Sequence, residues 1–430
     1  MSKLQDLIDR LCPNGVEFKP LGEVFEMRNG YTPSKNESSF WEDGTIPWFR
    51  MEDIRENGRI LSDSIQHITP AAVKGKGLFE ANTFILATTA TIGEHALIIA
   101  DSLANQRFTN LKVRKSLSNL LETKFVFYYM FIVDEFCKNN TNVSGFASVD
   151  MGKLKRMPFP IPPLEVQEEI VKILDRFADY AAELQAELQA RKEQYEYYRN
   201  LLLTFNPSAY GSGTDDEQKD SITRWGGHSY KIQWKKMGEI GTFIRGNGLQ
   251  KKDFTESGVG CIHYGQIYTH YGTFADETKS FVSEKLAKSL LKVESGDIVL
   301  ACTSENIEDV AKAVAWLGKD TIVTGGHSVV FKHKENPKYI AYFFQTALFF
   351  NQKKKYAYGA KVIDIKTDDL AKIEIPIPPM ELQEKIVAIL DRFETLVNDL
   401  SKGLPAEIAA VKAQYEYYRN KLLTFKDVAG

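Results

Sequence analysis

One internal repeat constrains this chain more than any other feature of its sequence. The segment PIPPLEVQEEIVKILDRF begins at Pro160, and PIPPMELQEKIVAILDRF begins at Pro376, an offset of 216 positions (376 − 160). VEFKPLGE from Val16 aligns with IQWKKMGE from Ile232 at the same offset (232 − 16). QYEYYRNLLLTF recurs as QYEYYRNKLLTF at an offset of 220 (414 − 194). The chain is therefore an internal duplication. Each copy consists of a variable block of about 150 residues followed by a nearly identical block of about 45.

The nearly identical blocks carry the heptad pattern of long helices. Apolar side chains step by alternating four and three residues, which predicts a seam between two helices. An extra step of four residues beside Gly403 and Pro405 is a stutter, so a kink or short break is expected there. Two copies of one seam in one chain offer each other a partner, although each helix could instead pack on its own domain. The predicted seam residues are Ile170, Leu174, Phe177, Leu184, Leu188, Tyr195, Tyr198, Leu202, Ile386, Leu390, Phe393, Val397, Tyr415, Tyr418 and Leu422.

The blocks predict an α+β chain with an internal pseudo-twofold repeat. The variable blocks contain apolar, β-branched stretches of strand character at 85–89, 96–100, 111–114, 298–303 and 321–332, and helical stretches at 124–136 and 337–350. The expected domains are a mixed domain at 1–158, a central helical region at 159–205, a polar, Gly-rich flexible linker at 206–222, a second mixed domain at 223–374 and a distal helical region at 375–425.

Composition places this chain among globular proteins, with 43% hydrophobic and 26% charged residues. The net charge of −3 means that any electrostatic footprint for nucleic acid must be local. Its four widely separated cysteines lack metal-ligand spacing, which excludes a zinc ribbon and a disulfide scaffold and predicts a reducing cytosol. The charged N-terminus does not resemble a signal peptide, and no apolar stretch approaches the roughly 18 residues of a membrane span. A cytoplasmic protein without a membrane partner is expected.

No sequence motif predicts catalysis or a bound metal. A P-loop, a GxSxG elbow and an HExxH pair are all missing from the sequence. His263 and His270 are seven positions apart, which is not a helical ligand spacing. The acidic residues Asp364, Asp368 and Asp369 could suggest a metal-dependent nuclease, but a solvated turn is the preferred interpretation. The NPSAY segment at 206–210 matches an amino-methyltransferase motif only in outline, with no cofactor-binding glycines near it.

Loops rich in cationic, aromatic and polar side chains are better candidate sites. Lys and Arg contact phosphates, whereas polar side chains that reach base edges provide sequence specificity. Arg28 and Arg245 occupy matching places after the Leu21 and Met237 anchors, which predicts a shared role. The first block offers Arg28, Asn29, Tyr31, Arg50, Thr88, Thr89, Gln106 and Arg107. The second offers Arg245, Asn247, Lys251, His263, Tyr264, Gln266, Thr303, Ser304, His327, Ser328 and Lys361.

With these features the whole chain resembles the specificity subunit (HsdS) of prokaryotic type I restriction–modification systems. The PIPPLEVQEEIVKILD and PIPPMELQEKIVAILD segments and the two QYEYYRN helix ends are the most specific matches, and NGVEFKPLGEV, IPWFRMEDI and IHYGQIYTHYG add to them. The resemblance implies that the mixed domains are target recognition domains. Each would recognise one half of a bipartite, asymmetric double-stranded DNA sequence, and two long antiparallel helices would hold them apart.

The resemblance also implies partners and cofactors. Two methyltransferase subunits would dock on the conserved helices, and restriction (motor and nuclease) subunits would join them. S-adenosylmethionine, ATP and Mg are expected on those partners, with no cofactor in this subunit. Two alternatives remain: an enzyme with diverged nuclease or methyltransferase motifs, against which the missing cofactor loop counts, and a purely structural coiled-coil adaptor.

A tandem AELQ repeat at 182–189 predicts how the distance between the half-sites is set. A helix over residues 170–205 would span roughly 50 Å at about 1.5 Å per residue. That length corresponds to about one and a half turns of DNA at roughly 3.4 Å per base pair. Each AELQ unit adds about 6 Å, or one helical turn. The hypothesis is that this tract sets the gap between the half-sites.

Overall fold

The computed structural model describes residues 2–142, 147–205, 221–399 and 401–428. It divides into two compact units. The first comprises Met1–Glu183 and Ile408–Gly430, and the second comprises Leu184–Glu407. Each unit therefore combines one variable block with parts of both nearly identical blocks.

Each unit contains a five-stranded sheet with the same strand order. In the first unit the neighbours run Phe25–Asn29, Phe108–Val113, Thr83–Ala87, His95–Ile98 and Ile60–Leu61. In the second unit they run Gly241–Arg245, Ser328–His333, Ile298–Ala301, Lys312–Trp316 and Phe274–Ala275. The first four strands pair antiparallel and the last joins parallel in both units. The repeat thus extends into the blocks whose sequences have diverged.

The strand registers identify equivalent residues in the two units. Phe84 pairs with Leu111 in the first unit, and Ile298 pairs with Phe331 in the second. Ile298 is therefore the equivalent of Phe84 at an offset of 214 (298 − 84), and Phe331 is the equivalent of Leu111 at an offset of 220 (331 − 111). The central strand Thr83–Ala87 is buried along its whole length, as expected for an apolar run inside a covered sheet. Its equivalent, Ile298–Ala301, is also entirely buried.

Smaller sheets and short helices complete each unit. The other strands of the first unit are Glu17–Pro20, Ile46–Phe49, His67–Ile68, Leu103–Ala104, Thr141–Asn142, Ser148–Val149 and Pro158–Ile161. Those of the second are Ser221–Trp225, His228–Lys236, Val259–Ile262, Ser280–Val282, Leu291–Val293, Thr303–Ser304, Ile322–Thr324, Ile363–Asp364 and Glu374–Ile377. The shorter helices are Ser2–Leu11, Leu21–Val24, Met51–Asn57, Thr123–Asn139, Met151–Arg156, Met237–Ile240, Tyr264–Thr269, Glu284–Ala287, Pro337–Phe343, Ala347–Lys353 and Thr367–Leu370.

Long helices occupy both nearly identical blocks. The central helix, Leu164–Thr204, is continuous over 41 residues. The distal region is two helices, Met380–Asn398 and Leu404–Leu422, each of 19 residues. Helix therefore stops next to Gly403, where the stutter predicted a break, and this prediction is confirmed.

The helices pack along the predicted seam. In the first unit, Phe177 stacks on Tyr418 with ring centroids 5.5 Å apart. In the second unit, Tyr198 stacks on Phe393 at 5.6 Å, which is the same pair of the repeat. The first unit thus contains the start of the central helix and the end of the chain. The second unit contains the end of the central helix and the start of the distal region. The mixed fold, the long central helix and the antiparallel pairing are confirmed.

Three local predictions need correction. The strand predicted at 321–332 is two strands, because Gly325, Gly326 and His327 form a turn in which His327 has a φ of 66°. The helix predicted at 337–350 is also two, because the Thr346 side chain caps a new helix start. Strand Ser221–Trp225 begins inside the predicted linker. The rest of that linker, with the 206–210 motif, lies outside the described residues.

Candidate nucleic-acid interface

In the first unit, the four candidate loops predicted from the sequence come together beside the end of the large sheet. The Tyr31 amide donates to the Ala104 carbonyl at 2.9 Å, which joins the loop after the edge strand to the 105–107 turn. The Thr88 amide donates to the Arg107 carbonyl, also at 2.9 Å. The Trp48 indole donates to the Tyr31 carbonyl at 3.0 Å and brings in the 48–50 segment. We call this group of loops the first surface: residues 28–32, 48–50, 74–76, 88–89 and 105–107.

The second unit assembles an equivalent second surface from residues 245–248, 263–266, 303–304, 326–328 and 358–366. The Gly326 amide donates to the Gly248 carbonyl at 2.8 Å, and the Tyr264 ring lies 5.0 Å from the His327 ring. Thr303 pairs with Asp364, which fixes the hairpin that carries exposed Lys361. The structure therefore brings the second set of predicted residues together as well. Lys251 lies beside them, close enough for its positive charge to lower the pKa of His263.

Several predicted residues are buried and hold the loops rather than face solvent. His263 caps helix Tyr264–Thr269 through an Nδ1 that accepts from the Gly265 amide at 3.1 Å. Burial, reinforced by the charges of Lys251 and His327, lowers the pKa of His263. The Thr88 hydroxyl lies 3.0 Å from that of Thr109. Four predicted residues are buried in this way: Thr88, His263, Thr303 and Ser328. Their burial favours a role in positioning the exposed loops.

Arg28 and Arg245 do not occupy matching places. Arg245 pairs with Val329, the equivalent of Thr109 at the offset of 220 (329 − 109). Thr109 pairs with Asn29, not with Arg28. One step along a strand turns a side chain to the opposite face of the sheet, so the prediction that the two arginines occupy matching places is wrong.

The two arginines also have different surroundings. Arg28 donates to the Lys76 carbonyl and lies over the Phe79 ring at 4.4 Å, where burial lowers the pKa of its guanidinium. Arg245 donates twice to Asp364, at 3.2 and 2.6 Å, and this hydrogen bonding raises its pKa. Asp364 is thereby committed to an ion pair, which removes it from the acidic group considered for a nuclease site.

Two basic residues of the first surface were not predicted from the sequence. Exposed Lys74 and Lys76 flank Gly75 in a short loop. The Lys74 amide donates to the Tyr31 hydroxyl at 2.8 Å, and its ammonium lies 4.8 Å from the Tyr31 ring centroid. Two lysines in one short glycine loop were the available signal. Because they lie far along the chain from Arg28, the sequence did not show that the fold brings them next to it.

One carboxylate in each nearly identical block joins a shorter helix of its unit to the long helices. Asp175 on the central helix accepts from the Lys124 ammonium at 2.7 Å and from the Tyr128 hydroxyl at 2.6 Å. Burial raises the pKa of that Tyr128 hydroxyl. Since helix Thr123–Asn139 packs in the same core as the large sheet, it connects sheet and central helix. In the second unit Asp391 accepts from Lys338 and Tyr342, both at 2.7 Å.

The seam side chains are placed as the heptad pattern predicted. All but five are buried, and these five, Phe177, Tyr198, Phe393, Tyr415 and Tyr418, carry the aromatic contacts between helices or flank them. No group of three or more His, Cys, Asp or Glu stands close enough to hold a metal ion within the described ranges. None of the described helices is long and apolar enough to cross a membrane.

Comparison with known proteins identifies a class that matches this duplicated architecture. The family model for the type I restriction modification DNA specificity domain matches residues 13–194 and again 231–410. The specificity subunit of the Escherichia coli type I restriction enzyme EcoprrI is 36% identical over 96% of this chain and 94% of its own length. That of the E. coli enzyme EcoR124I/EcoR124II is 27% identical over 99% of this chain and 97% of its own.

A solved structure shows a similar fold at low sequence identity. It is described as the structural basis of complex assembly and conformational transition of the type I R-M system. The chain compared shares 16% identity with a TM-score of 0.62, over 95% of this chain and 97% of that one.

Two matched domains, a duplicated mixed fold and paired polar surfaces define a DNA-specificity protein. The chain belongs to the type I restriction–modification DNA specificity family. Proteins of this class supply sequence recognition and are not themselves catalytic, which favours recognition over the enzyme alternative.

Proposed function

We propose that this chain is the specificity subunit of a type I restriction–modification complex and recognises a bipartite, asymmetric DNA sequence. The first surface contacts one half-site and the second surface contacts the other. The observation that carries this proposal is the repeat itself. Two units with one strand order present equivalent loops whose side chains differ, as expected for two related sites that recognise two different sequences.

The exposed members of each surface supply the DNA contacts. Lys74, Lys76 and Lys361, with exposed Lys251 beside the second surface, provide positive charge for phosphates, while Asn29, Gln106 and Asn247 provide hydrogen-bonding groups for base edges. Residues 1–158 and 223–374 are the target recognition domains, and the regions 159–205 and 375–425 are the shared helical scaffold. A local concentration of charge reconciles DNA binding with a net charge of −3.

The partners follow from the resemblance and from the scaffold. Two methyltransferase subunits bind the conserved helices, one for each copy of the repeated block, and restriction subunits join them. Those partners carry S-adenosylmethionine, ATP and Mg, and this subunit carries no cofactor. The complex acts in the prokaryotic cytoplasm.

DNA binding by the full chain with its methyltransferase partner tests the proposal. The logarithm of the binding constant should fall linearly with the logarithm of salt concentration, because phosphate contacts release counterions. Lys74→Gln and Lys361→Gln should each weaken binding about equally for all sequences and reduce the salt slope by about 1. Lys115→Gln, which removes an exposed charge outside both surfaces, is the matched control and should leave the slope unchanged. Binding that does not respond to salt would contradict the proposal.

A further inference from the structure

We propose that Arg107 and His327 are equivalent base-recognition residues, one for each half-site, and that Arg107 recognises a guanine. This inference rests on the proposed function, because it assigns the half-site positions that the two surfaces would distinguish. It names the side chains through which one scaffold position gives two different specificities.

The backbone places these two residues at the same position of the repeat. Arg107 and His327 differ by the offset of 220 that relates the adjoining strands (327 − 107). The Arg107 carbonyl accepts from the Thr88 amide at 2.9 Å, and the His327 carbonyl accepts from the Cys302 amide at 2.9 Å. Thr88 and Cys302 are themselves equivalent, because each directly follows the paired end of its central strand. The same hydrogen bond therefore holds the turn in both units, while the side chain differs and only His327 of the two has a positive φ.

Both side chains are exposed and uncommitted, unlike several of their neighbours. Among the residues that the structure describes, neither the Arg107 guanidinium nor the His327 imidazole makes a hydrogen bond or an ion pair. By contrast, Asn29 accepts from Thr109 at 3.0 Å, and Arg245 is paired with Asp364. An exposed donor left free within a polar surface is available to an incoming base.

The chemistry of the guanidinium specifies the base. Two parallel N–H groups of arginine match the O6 and N7 acceptors that guanine presents in the major groove. Lysine carries the same charge but offers no planar fork, so it does not reproduce the paired hydrogen bonds. Arg107 therefore selects guanine through geometry as well as charge.

The backbone of His327 is unusual in a way that fits a recognition residue. Its φ of 66° lies in the left-handed region, which few residues other than glycine adopt. Strained positions of this kind cluster at functional sites, where the surrounding structure imposes them. Two glycines precede His327 in the turn, and the Tyr264 ring lies 5.0 Å from the imidazole. The imidazole is nevertheless exposed in this turn.

Methylation mapping of variants, each in the complex of the full chain with its methyltransferase partner, tests Arg107. In Arg107→Gln and Arg107→Lys, preference for guanine at one position of one half-site should fall roughly 10- to 100-fold. The other half-site should stay unchanged, and Lys115→Gln is the control for loss of charge. A phosphate contact would instead make Arg107→Gln weaken all sites uniformly and Arg107→Lys restore them, which would overturn the inference.

A second pair of variants tests the equivalent position. His327→Ala should relax one position in the half-site that Arg107→Gln leaves intact. His327→Asn keeps a residue that tolerates the left-handed backbone, so it separates loss of the imidazole from loss of the turn. Both should relax the same position. If a bipartite wild-type site survives all these variants unchanged, this inference fails while the proposed function stands. A wild-type complex without a bipartite site would contradict the proposed function itself.

Discussion

At the scale of single residues, a buried glutamine connects each long helix to the domain beside it. The Gln167 amide donates to the carbonyls of Leu120 and Pro162 at 2.7 and 2.6 Å, and its oxygen accepts from the Glu122 amide at 2.8 Å. Gln383 makes the equivalent bond to the Asn336 amide at 3.0 Å. Both glutamines are fully buried. Glutamine occurs at this position in both halves because its side chain makes the hydrogen bonds that these buried backbone groups need.

Gln167→Leu should lower the free energy of unfolding by about 3 kcal/mol, because it leaves three backbone groups without this partner in a dry site. Chemical denaturation followed by tryptophan fluorescence measures the change. Gln189→Leu is the matched control, since that glutamine is exposed on the same helix, and it should shift stability by less than about 0.5 kcal/mol. Equal effects of the two substitutions would show that the buried bonds are not responsible.

Sequence patterns identified the loops of both surfaces but not the state of every side chain in them. Loop polarity was visible because cationic and amide residues cluster beside glycines. The ion pair of Arg245 with Asp364, however, joins positions 119 apart along the chain, and no local pattern encodes such a partner. Burial of His263 likewise depends on the Phe254 ring packed against it at 5.7 Å. Tertiary packing therefore separates the contact residues from the positioning residues.

At the scale of elements, the distal break absorbs a difference in length between the two helical blocks. The repeat offset grows from 216 to 220 between Phe393 and Gln414, so the distal block has four extra residues. Helix ends at Asn398 and starts again at Leu404, and the extra residues fall in this interval. A Cβ on Gly403 would lie 2.4 Å from the Thr395 carbonyl oxygen, which explains why glycine occupies this turn.

The AELQ tract of the central helix provides a length test. Deletion of residues 186–189 removes about 6 Å of helix and should shorten the preferred gap between half-sites by about one or two base pairs. Duplication of the tract should lengthen the gap by the same amount. Methylation of DNA substrates with graded gaps measures both effects.

Glu187→Gln controls for the change in sequence without a change in length, and it should leave the preferred gap unaltered. A gap that stays constant in both the deletion and the duplication variants would refute the role of the tract.

Helices were predicted from sequence more completely than sheets. A heptad pattern is local, so the central helix and the site of the distal break could be inferred directly. Strand order is not local: Phe25–Asn29 pairs with Phe108–Val113, about 80 positions away. The turn at Gly325 and Gly326 was missed because apolar β-branched residues on both sides continue the strand pattern.

At the scale of the whole molecule, the repeat explains how one chain can carry two specificities. Each unit keeps the strand order, the glutamine anchor and the helix seam, and varies the loops on its surface. Structural residues therefore recur in both halves, while exposed loop residues differ, as Arg107 and His327 do. Net charge is uninformative for such a protein, because the proposed DNA contacts are confined to two small surfaces.

The most direct test of the central claim is a genome-wide map of the sites methylated by the full chain with its methyltransferase partner. Two half-sites of different sequence, separated by a gap of constant length, are the predicted result. A single continuous recognition sequence, or two identical half-sites, would contradict the assignment of one half-site to each surface.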